Sequence, residues 1–356
     1  MKILVGICGI GNGHINRQTC VIEYLLECRH TVVIATTGNN SDFFKERFPN
    51  VKVINISIPW ISCNEKGIDF KDSLNKYINS NTDQYKNFFE FGIDVNDAFN
   101  GIPDIVITDY EPNVAQYSYA VGIPLICMEQ QSKFLYLNEE KIDNYSIIEE
   151  IRRIDYFFPK FDFKIISSFF PININDKKVK IVSPIIRNMK QIEKKKNQVL
   201  VYFSPYSDSF KYKLILDAIS KIKYLNFIVY TKQQFDEFYS NNIIFKSFGE
   251  IFINDLQQSI FLISTAGHQL LSEAISINLP LYLIPLDSYE QNYNALMVEK
   301  YKIGIIGEKI NKNEIETFYN NLNFYSNNIN IFKDKYYKID WKNVLNQIFN
   351  IYKKDY

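Results

Sequence analysis

One histidine follows a glycine-rich turn close to the amino end of the chain. The turn contains Gly9, Gly11 and Gly13 and leads into His14, directly after the apolar segment 2–8 (KILVGIC). Glycines let a backbone turn tightly and approach a ligand, and the helix that follows favours an anion at its amino end. Because an imidazole titrates near neutrality, a histidine at this point is suited to act as the general base for a hydroxyl. We therefore predict that His14 is catalytic and that Gly11 and Gly13 form a loop that contacts phosphate or acceptor.

A carboxylate at the end of another predicted strand is the expected partner of His14. Asp109 ends the segment 104–109 (DIVITD). If that strand lies beside the first strand in a parallel sheet, both carboxyl ends meet at the same edge. Asp109 could then bond the second ring nitrogen of His14 and fix its tautomer. Alternatively, Asp109 caps the helix predicted over 111–121, a role that is compatible with the first.

The glycine turn does not match the common nucleotide-binding loops. A dinucleotide fingerprint would need a third glycine where His14 stands, and the second strand ends at Thr36 and Thr37 without the acid that holds a ribose. No Lys-Ser or Lys-Thr pair follows the glycines, as a Walker A loop would require. With both loops excluded, the turn is best interpreted as placing a histidine at the edge of a sheet.

Length and composition indicate a globular protein of two domains. The chain has 356 residues, 46% of them hydrophobic, with 40 basic and 40 acidic residues and a net charge of zero. This balance argues against a dedicated nucleic-acid binder. We find no apolar run of the roughly 20 residues that span a bilayer and no secretory signal. Five cysteines without a CxxC pair indicate neither a disulfide framework nor a zinc site, so we expect a cytoplasmic protein.

Two series of apolar strands alternate with amphipathic stretches. The predicted strands are 2–8, 30–36, 51–58, 104–109, 124–128, 163–168 and 178–183, then 199–204, 226–231, 243–248, 260–265, 280–285 and 303–306. Such runs indicate an α/β protein with parallel sheets buried on both faces. We predict an amino-terminal domain (1–185), a linker (186–198), a second domain (199–340) and a terminal helix (341–356) that could pack back on the first domain. Parallel α/β sheets bind ligands at the carboxyl ends of their strands, so the site should face the cleft between the domains.

A second group of polar residues follows the strands of the second domain. Gly267 begins a predicted helix whose amino end can hold phosphate. Glu273 lies about two turns into that helix, where its carboxylate could accept hydrogen bonds from ribose hydroxyls. Glu290 and Gln291 begin the next helix, and their acid and amide groups suit the hydroxyls of a sugar. Each of these residues is common in α/β proteins, but their occurrence together in this order is more specific.

These motifs resemble those of GT-B glycosyltransferases. The GxGH turn and the series G-x5-E-x6-P-x4-P-x4-EQ-x2-NA are similar to the MurG-like and UDP-glucosyltransferase-like groups (family 28 and family 1 types), including small bacterial and archaeal proteins with a GxGH…DFEP…EQ pattern. The resemblance covers most of the chain outside 60–100 and the tail. It implies two Rossmann-like domains that face a cleft, the first binding the acceptor and the second the nucleotide-sugar.

The resemblance also implies roles for single residues. His14 corresponds to the base that deprotonates the acceptor, and Asp109 to the acid that orients it. Glu273 corresponds to the ribose-binding acid, and Glu290 and Gln291 to the pair that contacts the donor sugar. The remaining residues expected at the donor are Ser204, Phe248, Gly249, Thr265, Gly267, His268 and Gln269.

Three positions depart from the family pattern. Thr265 stands where the plant-type motif has a phosphate-binding histidine, and Asn278 replaces the glycine usually found two residues before Pro280. One extra residue separates Pro285 from the Glu-Gln pair. His268 could supply the missing imidazole, or it could be a surface residue at the start of its helix. The departures concern phosphate contact and donor preference rather than the fold.

The implied reaction transfers a sugar from a nucleotide donor, a UDP-sugar above all, to a hydroxyl acceptor. A single in-line displacement inverts the anomeric configuration, and the absence of an Asp-x-Asp motif fits a diphosphate stabilised without metal, with no cofactor. The acceptor is not identified. We predict that the stretch 64–100 is helical. Aromatic and apolar residues in 84–93 (Tyr85, Phe88, Phe89 and Phe91) and in 134–137 (Phe134, Leu135, Tyr136 and Leu137) could dock a lipid-linked acceptor or a membrane surface, line a pocket, or belong to the core. The class as a whole suggests assembly of a cell-surface glycan or glycolipid.

Other functions use the same fold. A MurG-like nucleotide-sugar hydrolase shares the opening GxGHxxR, completed here by Arg17, but the insertion 60–100 favours an enzyme with a bound acceptor. A nucleotide-sugar 2-epimerase would carry an acidic signature that we do not find. A non-catalytic partner subunit would not be expected to keep both His14 and the acids at 273 and 290. We rank the transferase first.

Overall fold

The computed structural model describes residues 1–9, 11–56, 62–64, 67–69, 71–72, 75, 84–137, 141–142, 145–190, 192–204, 209–232, 240–249 and 251–353. The strands are β1 (Lys2–Ile7), β2 (Thr31–Thr36), β3 (Lys52–Asn55), β4 (Ser62–Asn64), β5 (Gly67–Asp69), β6 (Ile105–Asp109), β7 (Leu125–Glu129), β8 (Lys141–Ile142), β9 (Tyr145–Ser146), β10 (Phe163–Ser167), β11 (Val179–Val182), β12 (Gln198–Tyr202), β13 (Asn226–Tyr230), β14 (Ile243–Lys246), β15 (Leu262–Ser264), β16 (Leu281–Leu283) and β17 (Gly304–Ile306). The helices are α1 (Asn12–Glu27), α2 (Asn39–Arg47), α3 (Gln84–Phe99), α4 (Pro112–Val121), α5 (Ile148–Phe157), α6 (Ser209–Ser220), α7 (Ile251–Gln258), α8 (His268–Ser276), α9 (Tyr289–Lys300), α10 (Lys312–Asn320), α11 (Leu322–Tyr336) and α12 (Trp341–Lys353), with a 3-10 helix over Gln131–Tyr136.

The first half of the chain forms a seven-stranded sheet. Its order is β11-β10-β7-β6-β1-β2-β3, and every neighbouring pair is parallel. The central strands β1, β6 and β7 are almost wholly buried because helices cover both faces, which is why their sequences are continuous apolar runs. In the register of β1 and β6, Ile7 lies opposite Asp109. The two carboxyl ends therefore meet at one edge, as predicted.

The second half forms a six-stranded parallel sheet. Its order is β14-β13-β12-β15-β16-β17. The central strands β12 and β15 carry the loops that begin at Phe203 and Thr265. Two parallel sheets with helices between their strands confirm the predicted α/β class.

The terminal helix α12 packs against the first sheet although it follows the second one in the chain. Its buried residues are Trp341, Val344, Leu345, Ile348 and Phe349. This i, i+3, i+4, i+7, i+8 spacing places them on one helical face, which joins the core formed by β1, β2 and α1. In the described residues, no helix has the length and apolarity needed to cross a membrane.

The insertion between β3 and β6 contains the helix α3 and a short antiparallel pair of strands. The chain is helical over Gln84–Phe99, but β4 and β5 form a short antiparallel pair, so the helix predicted over 64–100 is wrong for 64 and 67–69. The end of the strand predicted over 51–58 lies outside the described residues. The helix packs against α4 through Phe91, whose ring lies 5.9 Å from that of Tyr117.

Candidate active site

The glycine turn delivers His14 to Asp109. His14 lies in the first turn of α1, and its Nδ1 is 2.8 Å from Oδ1 of Asp109 at the end of β6. The backbone of Cys8, just beyond β1, donates to the carbonyl of Asp109 at 3.0 Å, so the end of β1 and the end of β6 are held together. The structure thus brings together the two residues that we predict to be catalytic.

Asp109 also accepts hydrogen bonds from two further residues of α1. Arg17 donates through Nε to Oδ2 at 2.9 Å and through NH2 to Oδ1 at 2.7 Å, and Gln18 donates to Oδ2 at 2.9 Å. These residues and His14 share one face of α1 because they are three and four positions apart. Gln18 was not predicted from the sequence as a site residue. Its spacing of four residues from His14 could have indicated it, because that spacing places both side chains on the same helical face.

The carboxyl group of Asp109 is ionised despite its complete burial. Burial would raise its pKa, but the charges of Arg17 and His14, and the hydrogen bonds that they donate, lower the pKa to about 2. An ionised carboxylate only accepts hydrogen bonds, so Nδ1 of His14 carries the proton that it shares with Asp109. The remaining nitrogen, Nε2, is then an acceptor, which is the form that a general base needs. The amide of Gln131 lies 3.5 Å from this nitrogen and can donate to it.

A second contact competes for the same nitrogen of His14. The NH2 group of Arg17 lies 3.1 Å from Nδ1, but its bond to Asp109 at 2.7 Å is shorter. A guanidinium prefers the charged oxygen, because such bonds are stronger than bonds to a neutral acceptor. We therefore assign the proton on His14 to Nδ1.

The helix that follows β6 has a different cap from the one we considered. Glu111 caps α4 by accepting from the backbone of Val114 at 2.9 Å, so the alternative role of Asp109 as a helix cap is wrong. Tyr110 has a φ of 55°, which turns the chain sharply between the two acids. Asp109 can therefore point towards α1 while Glu111 serves the next helix, and burial raises the pKa of Glu111 to about 7.

The amino ends of two helices, one from each half of the molecule, lie next to each other. α1 follows Gly11 and α8 follows Gly267, and neither helix has a side-chain cap or an acidic residue in its first turn. A Cβ atom on Gly13 would lie 3.6 Å from Cβ of Gln269, so the two helix starts are adjacent, while one on Gly11 or Gly267 would meet nothing within 4 Å. Uncapped amides and the positive ends of two helix dipoles make this place suitable for an anion.

His268 and Gln269 are used at the contact between the two halves of the molecule. Nε2 of His268 accepts from the backbone of Phe169 at 3.3 Å, and the amide of Gln269 donates to the carbonyl of Ile185 at 3.1 Å. His268 is buried, so its alternative placement at the surface is wrong. Burial and the positive charges of Lys133 and Arg17 lower the pKa of His268 well below its usual value, so the ring is neutral. The phosphate contacts predicted for both residues stay predictions.

Thr265 and Asn278 depart from the family pattern in different ways. Thr265 is buried just after β15, at the same edge as Gly267. Asn278 has a φ of 58°, in the left-handed region that glycine adopts freely and asparagine tolerates. The replacement of glycine by asparagine at 278 is therefore compatible with the same turn.

Glu273 is engaged by an arginine of the predicted linker. Arg187 donates through Nε to Oε1 at 2.9 Å and through NH2 to Oε2 at 3.4 Å. Glu273 is buried, whereas the Arg187 side chain is 34% exposed. Burial raises the pKa of Glu273, and the charge of Arg187 opposes that shift. A ribose that binds Glu273 must therefore share its oxygens with Arg187 or displace it.

The variants Glu273→Ala and Arg187→Ala separate these roles. We expect Glu273→Ala to weaken binding of a nucleoside diphosphate about tenfold or more, since a hydrogen bond to a charged group contributes about 1.5–3 kcal/mol. Arg187→Ala should leave that affinity unchanged or increase it, because the ribose then no longer competes with the guanidinium group for Glu273. Titration calorimetry with UDP measures both. Full affinity in Glu273→Ala would show that the ribose assignment is misplaced.

Glu290 and Gln291 point in different directions. Oε1 of Gln291 accepts from the backbone of Ala266 at 2.9 Å and of Leu286 at 3.0 Å, so this side chain braces the loops after β15 and β16. Glu290 faces the first sheet, where its Oε1 accepts from Gln130 at 2.9 Å. Its side chain remains 32% exposed. Of the pair, Glu290 is the residue better placed for a ligand in the cleft.

An aromatic cluster lies at the carboxyl ends of β12 and β13. The ring of Phe248 lies 5.7 Å from Tyr202, 5.6 Å from Tyr230 and 6.0 Å from Phe252. A Cβ atom on Gly249 would meet nothing within 4 Å. A planar base could therefore approach the backbone here and stack on a ring. Ser204 is buried two residues beyond β12.

Three further polar residues come from the segment after β7. Gln130, Gln131 and Lys133 lie between His14 and Glu290, and none of them was predicted from the sequence as a site residue. Their position after a predicted strand could have indicated them, because β7 is the neighbour of β6 and the carboxyl ends of both strands lie at the same edge of the sheet. Across the described ranges, no group of three or more His, Cys, Asp or Glu side chains could hold a metal ion.

Comparison with known proteins agrees with this architecture. The family model described as Glycosyl transferase family 1 matches residues 1–323. No curated protein sequence matches the chain. Among solved structures, it resembles Phytolacca americana UGT2 complexed with UDP-2fluoro-glucose and pterostilbene (TM-score 0.72, 11% identity, 99% of this chain and 100% of that chain).

Two other solved structures show the same arrangement. Arabidopsis thaliana UGT89C1 complexed with UDP-L-rhamnose has a TM-score of 0.69 and 12% identity, over 94% of each chain. The spinosyn rhamnosyltransferase SpnG complexed with spinosyn aglycone has a TM-score of 0.65 and 9% identity, over 98% of this chain and 100% of that chain. The family match spans almost the whole chain, and the fold is that of the GT-B enzymes. The protein therefore belongs to glycosyl transferase family 1 and is a glycosyltransferase with the GT-B fold.

Proposed function

We propose that the protein is an inverting, metal-independent transferase that moves a sugar from a UDP-sugar to a hydroxyl acceptor and needs no cofactor. One observation carries the proposal: His14, in the first turn of α1, is bonded to Asp109 at the end of β6, and the uncapped amino end of α1 lies next to that of α8. A base and a place for a diphosphate are thus a few residues apart. The UDP-sugars bound by the Phytolacca and Arabidopsis enzymes support the choice of donor.

In the proposed reaction, Nε2 of His14 removes the proton from the acceptor hydroxyl. The acceptor oxygen then forms a bond to the anomeric carbon while the bond from that carbon to the diphosphate oxygen breaks. Asp109 stabilises the imidazolium, and the amides at the starts of α1 and α8 stabilise the charge that leaves with the diphosphate. One displacement from the opposite face inverts the configuration.

The acceptor surface is proposed to include α3. Phe89 and Ile93 lie one turn apart on this helix and are 68% and 59% exposed. Exposed apolar side chains at this spacing suit an apolar acceptor or a lipid-linked one. We therefore propose a role in glycan or glycolipid assembly at the cytoplasmic face of a membrane. Co-sedimentation with phosphatidylcholine vesicles, comparing the chain with a Phe89→Ser, Ile93→Ser variant, tests this part separately.

The decisive experiment is a thermal-shift screen with UDP, dTDP, GDP, CMP and NAD, each with and without a chelator. A ligand at a hundred times its Kd stabilises the native state by about 2.7 kcal/mol, which such a screen resolves. We expect UDP to stabilise the protein equally in the presence of the chelator. A shift that the chelator abolishes would contradict metal independence, and no shift with any nucleoside diphosphate would contradict the donor class.

A single variant makes this screen specific to the diphosphate site. Gly267→Asp would place a carboxylate at the start of α8, where a side chain meets open space. Aspartate is a favoured cap, so the unliganded protein should be as stable as the original or more so. The UDP shift should be lost, because the carboxylate occupies the amides and repels the phosphates. A retained shift would place the diphosphate elsewhere.

A further inference from the structure

The segment after β7 contacts both His14 and the second lobe of the molecule. The first lobe is the half built on the seven-stranded sheet, and the second lobe is the half built on the six-stranded sheet. Gln131 lies against Nε2 of His14, while Gln130 donates to Oε1 of Glu290 at 2.9 Å. Glu129 holds the segment in place, because its Oε2 accepts from the backbone of Ser132 at 2.9 Å. Four consecutive residues thus join the base to the acid expected at the donor sugar.

Lys133 completes this contact from a fully buried position. Its Nζ donates to Oε1 of Gln130 at 3.0 Å and lies 3.8 Å from Oε1 of Glu290. The rings of Phe134 and Phe170 lie 4.8 and 5.9 Å from the ammonium group. The side chain is therefore enclosed, and its polar contacts are directed to the Gln130–Glu290 pair.

The ammonium group determines which way the amide of Gln130 points. A lysine only donates hydrogen bonds, so Gln130 must present its oxygen to Lys133 and its NH2 group to Glu290. Without the ammonium group the amide could rotate and present its oxygen to the carboxylate, which would repel it. Both first-lobe contacts engage Oε1 of Glu290, and among the described residues no bond engages Oε2.

The charge of Lys133 is costly where it lies. Burial lowers its pKa to about 8, although Glu290 and Glu129 favour the charged form. Arg17 and His268 also face it, as does Glu150 from α5. An apolar residue of similar volume would in general be at least as stabilising as a buried charge. A charged group at this point therefore indicates a role in the site.

We propose that Lys133 is a positioning residue for donor-sugar recognition: through Gln130, it holds the carboxylate of Glu290 so that Oε2 accepts a hydrogen bond from a hydroxyl of the donor sugar. The inference rests on the proposed function and adds the chemistry of the subsite. It requires a sugar with a free hydroxyl facing Glu290, beside His14. The effect is confined to the sugar and leaves the nucleotide contacts unchanged.

The test measures how much the sugar adds to binding. Titration calorimetry gives the ratio of the Kd of UDP to that of a UDP-sugar, with UDP-glucose, UDP-galactose and UDP-N-acetylglucosamine as probes. Lys133→Met should lower the ratio for the tightest probe about tenfold while the Kd of UDP changes less than twofold. Lys133→Arg should retain the ratio. In a Glu290→Gln background, Lys133→Met should have no further effect, because the residue acts through Glu290.

The pH dependence of the same Kd ratio is a second test, and it does not require the Lys133→Met variant. In the unmodified protein the ratio should fall as the pH rises through about 8, since Lys133 then loses its charge. It should stay constant to pH 9.5 in Lys133→Arg, because arginine remains protonated. An unchanged ratio in Lys133→Met, or no preference for any UDP-sugar in the unmodified protein, would overturn the inference alone. Absence of UDP binding would instead overturn the proposed function.

Discussion

Replacement of His14 with alanine should lower turnover by a hundredfold or more. Loss of a positioned general base typically costs two to four orders of magnitude. The donor should still bind, since the helix amides and the second lobe remain. Initial rates at saturating donor and acceptor measure the effect, and UDP calorimetry confirms that the site is intact.

The chain offers a matched control for this variant. His30 lies before β2, far from the cleft, and its ring packs 5.2 Å from that of Phe349 on α12. His30→Ala should alter stability slightly and leave turnover unchanged. Unchanged turnover in His14→Ala at saturating donor would show that the histidine does not act as the base.

Replacement of Asp109 with alanine should lower the free energy of unfolding of the first lobe and also abolish activity. The guanidinium of Arg17 is almost fully buried, and Asp109 neutralises it through two hydrogen bonds. Removing one partner of a buried ion pair typically destabilises a protein by about 3–5 kcal/mol, because the other charge stays buried without compensation. Urea unfolding and initial rates measure the two effects.

A double variant separates stability from catalysis. Asp109→Ala with Arg17→Met removes both charges, so we expect most of the lost stability to return. Turnover should remain low, because the carboxylate that orients His14 and stabilises its charged form is still absent. Wild-type turnover in the double variant would contradict the orienting role, and an undiminished stability in Asp109→Ala would contradict the ion pair.

Acid unfolding should also report on Asp109. Its pKa lies at about 2 in the folded chain and near 3.8 when unperturbed. A carboxyl group with a depressed pKa contributes stability above the unperturbed value and loses that contribution as the pH falls through the depressed one. We expect about 2 kcal/mol of stability to be lost between pH 4 and pH 2 because of this group. The double variant should lack that share of the loss.

The sequence by itself determined the fold class and indicated that His14 and Asp109 lie together. Buried parallel strands are apolar along their whole length, so β1 and β6 could be recognised from their residues. The carboxyl ends of neighbouring parallel strands meet, so His14 and Asp109 were expected together if these two strands were neighbours, and the structure shows that they are. The same local rules predicted the amphipathic terminal helix, since its apolar residues repeat at helical spacing. The family pattern marked Asn278 as a replacement for glycine, and its φ of 58° explains why asparagine is tolerated there.

Only the tertiary structure decided which polar groups are bonded to which. Arg187 on Glu273, Gln130 on Glu290 and His268 on Phe169 join residues that are 86, 160 and 99 positions apart, and the members of each pair belong to different elements. No periodicity encodes such a partner, because it depends on how the two lobes meet. Lys133 is the clearest case, since an isolated lysine after a strand reads as a surface residue. Its buried position depends on tertiary contacts with Phe134, Phe170 and the Gln130–Glu290 pair.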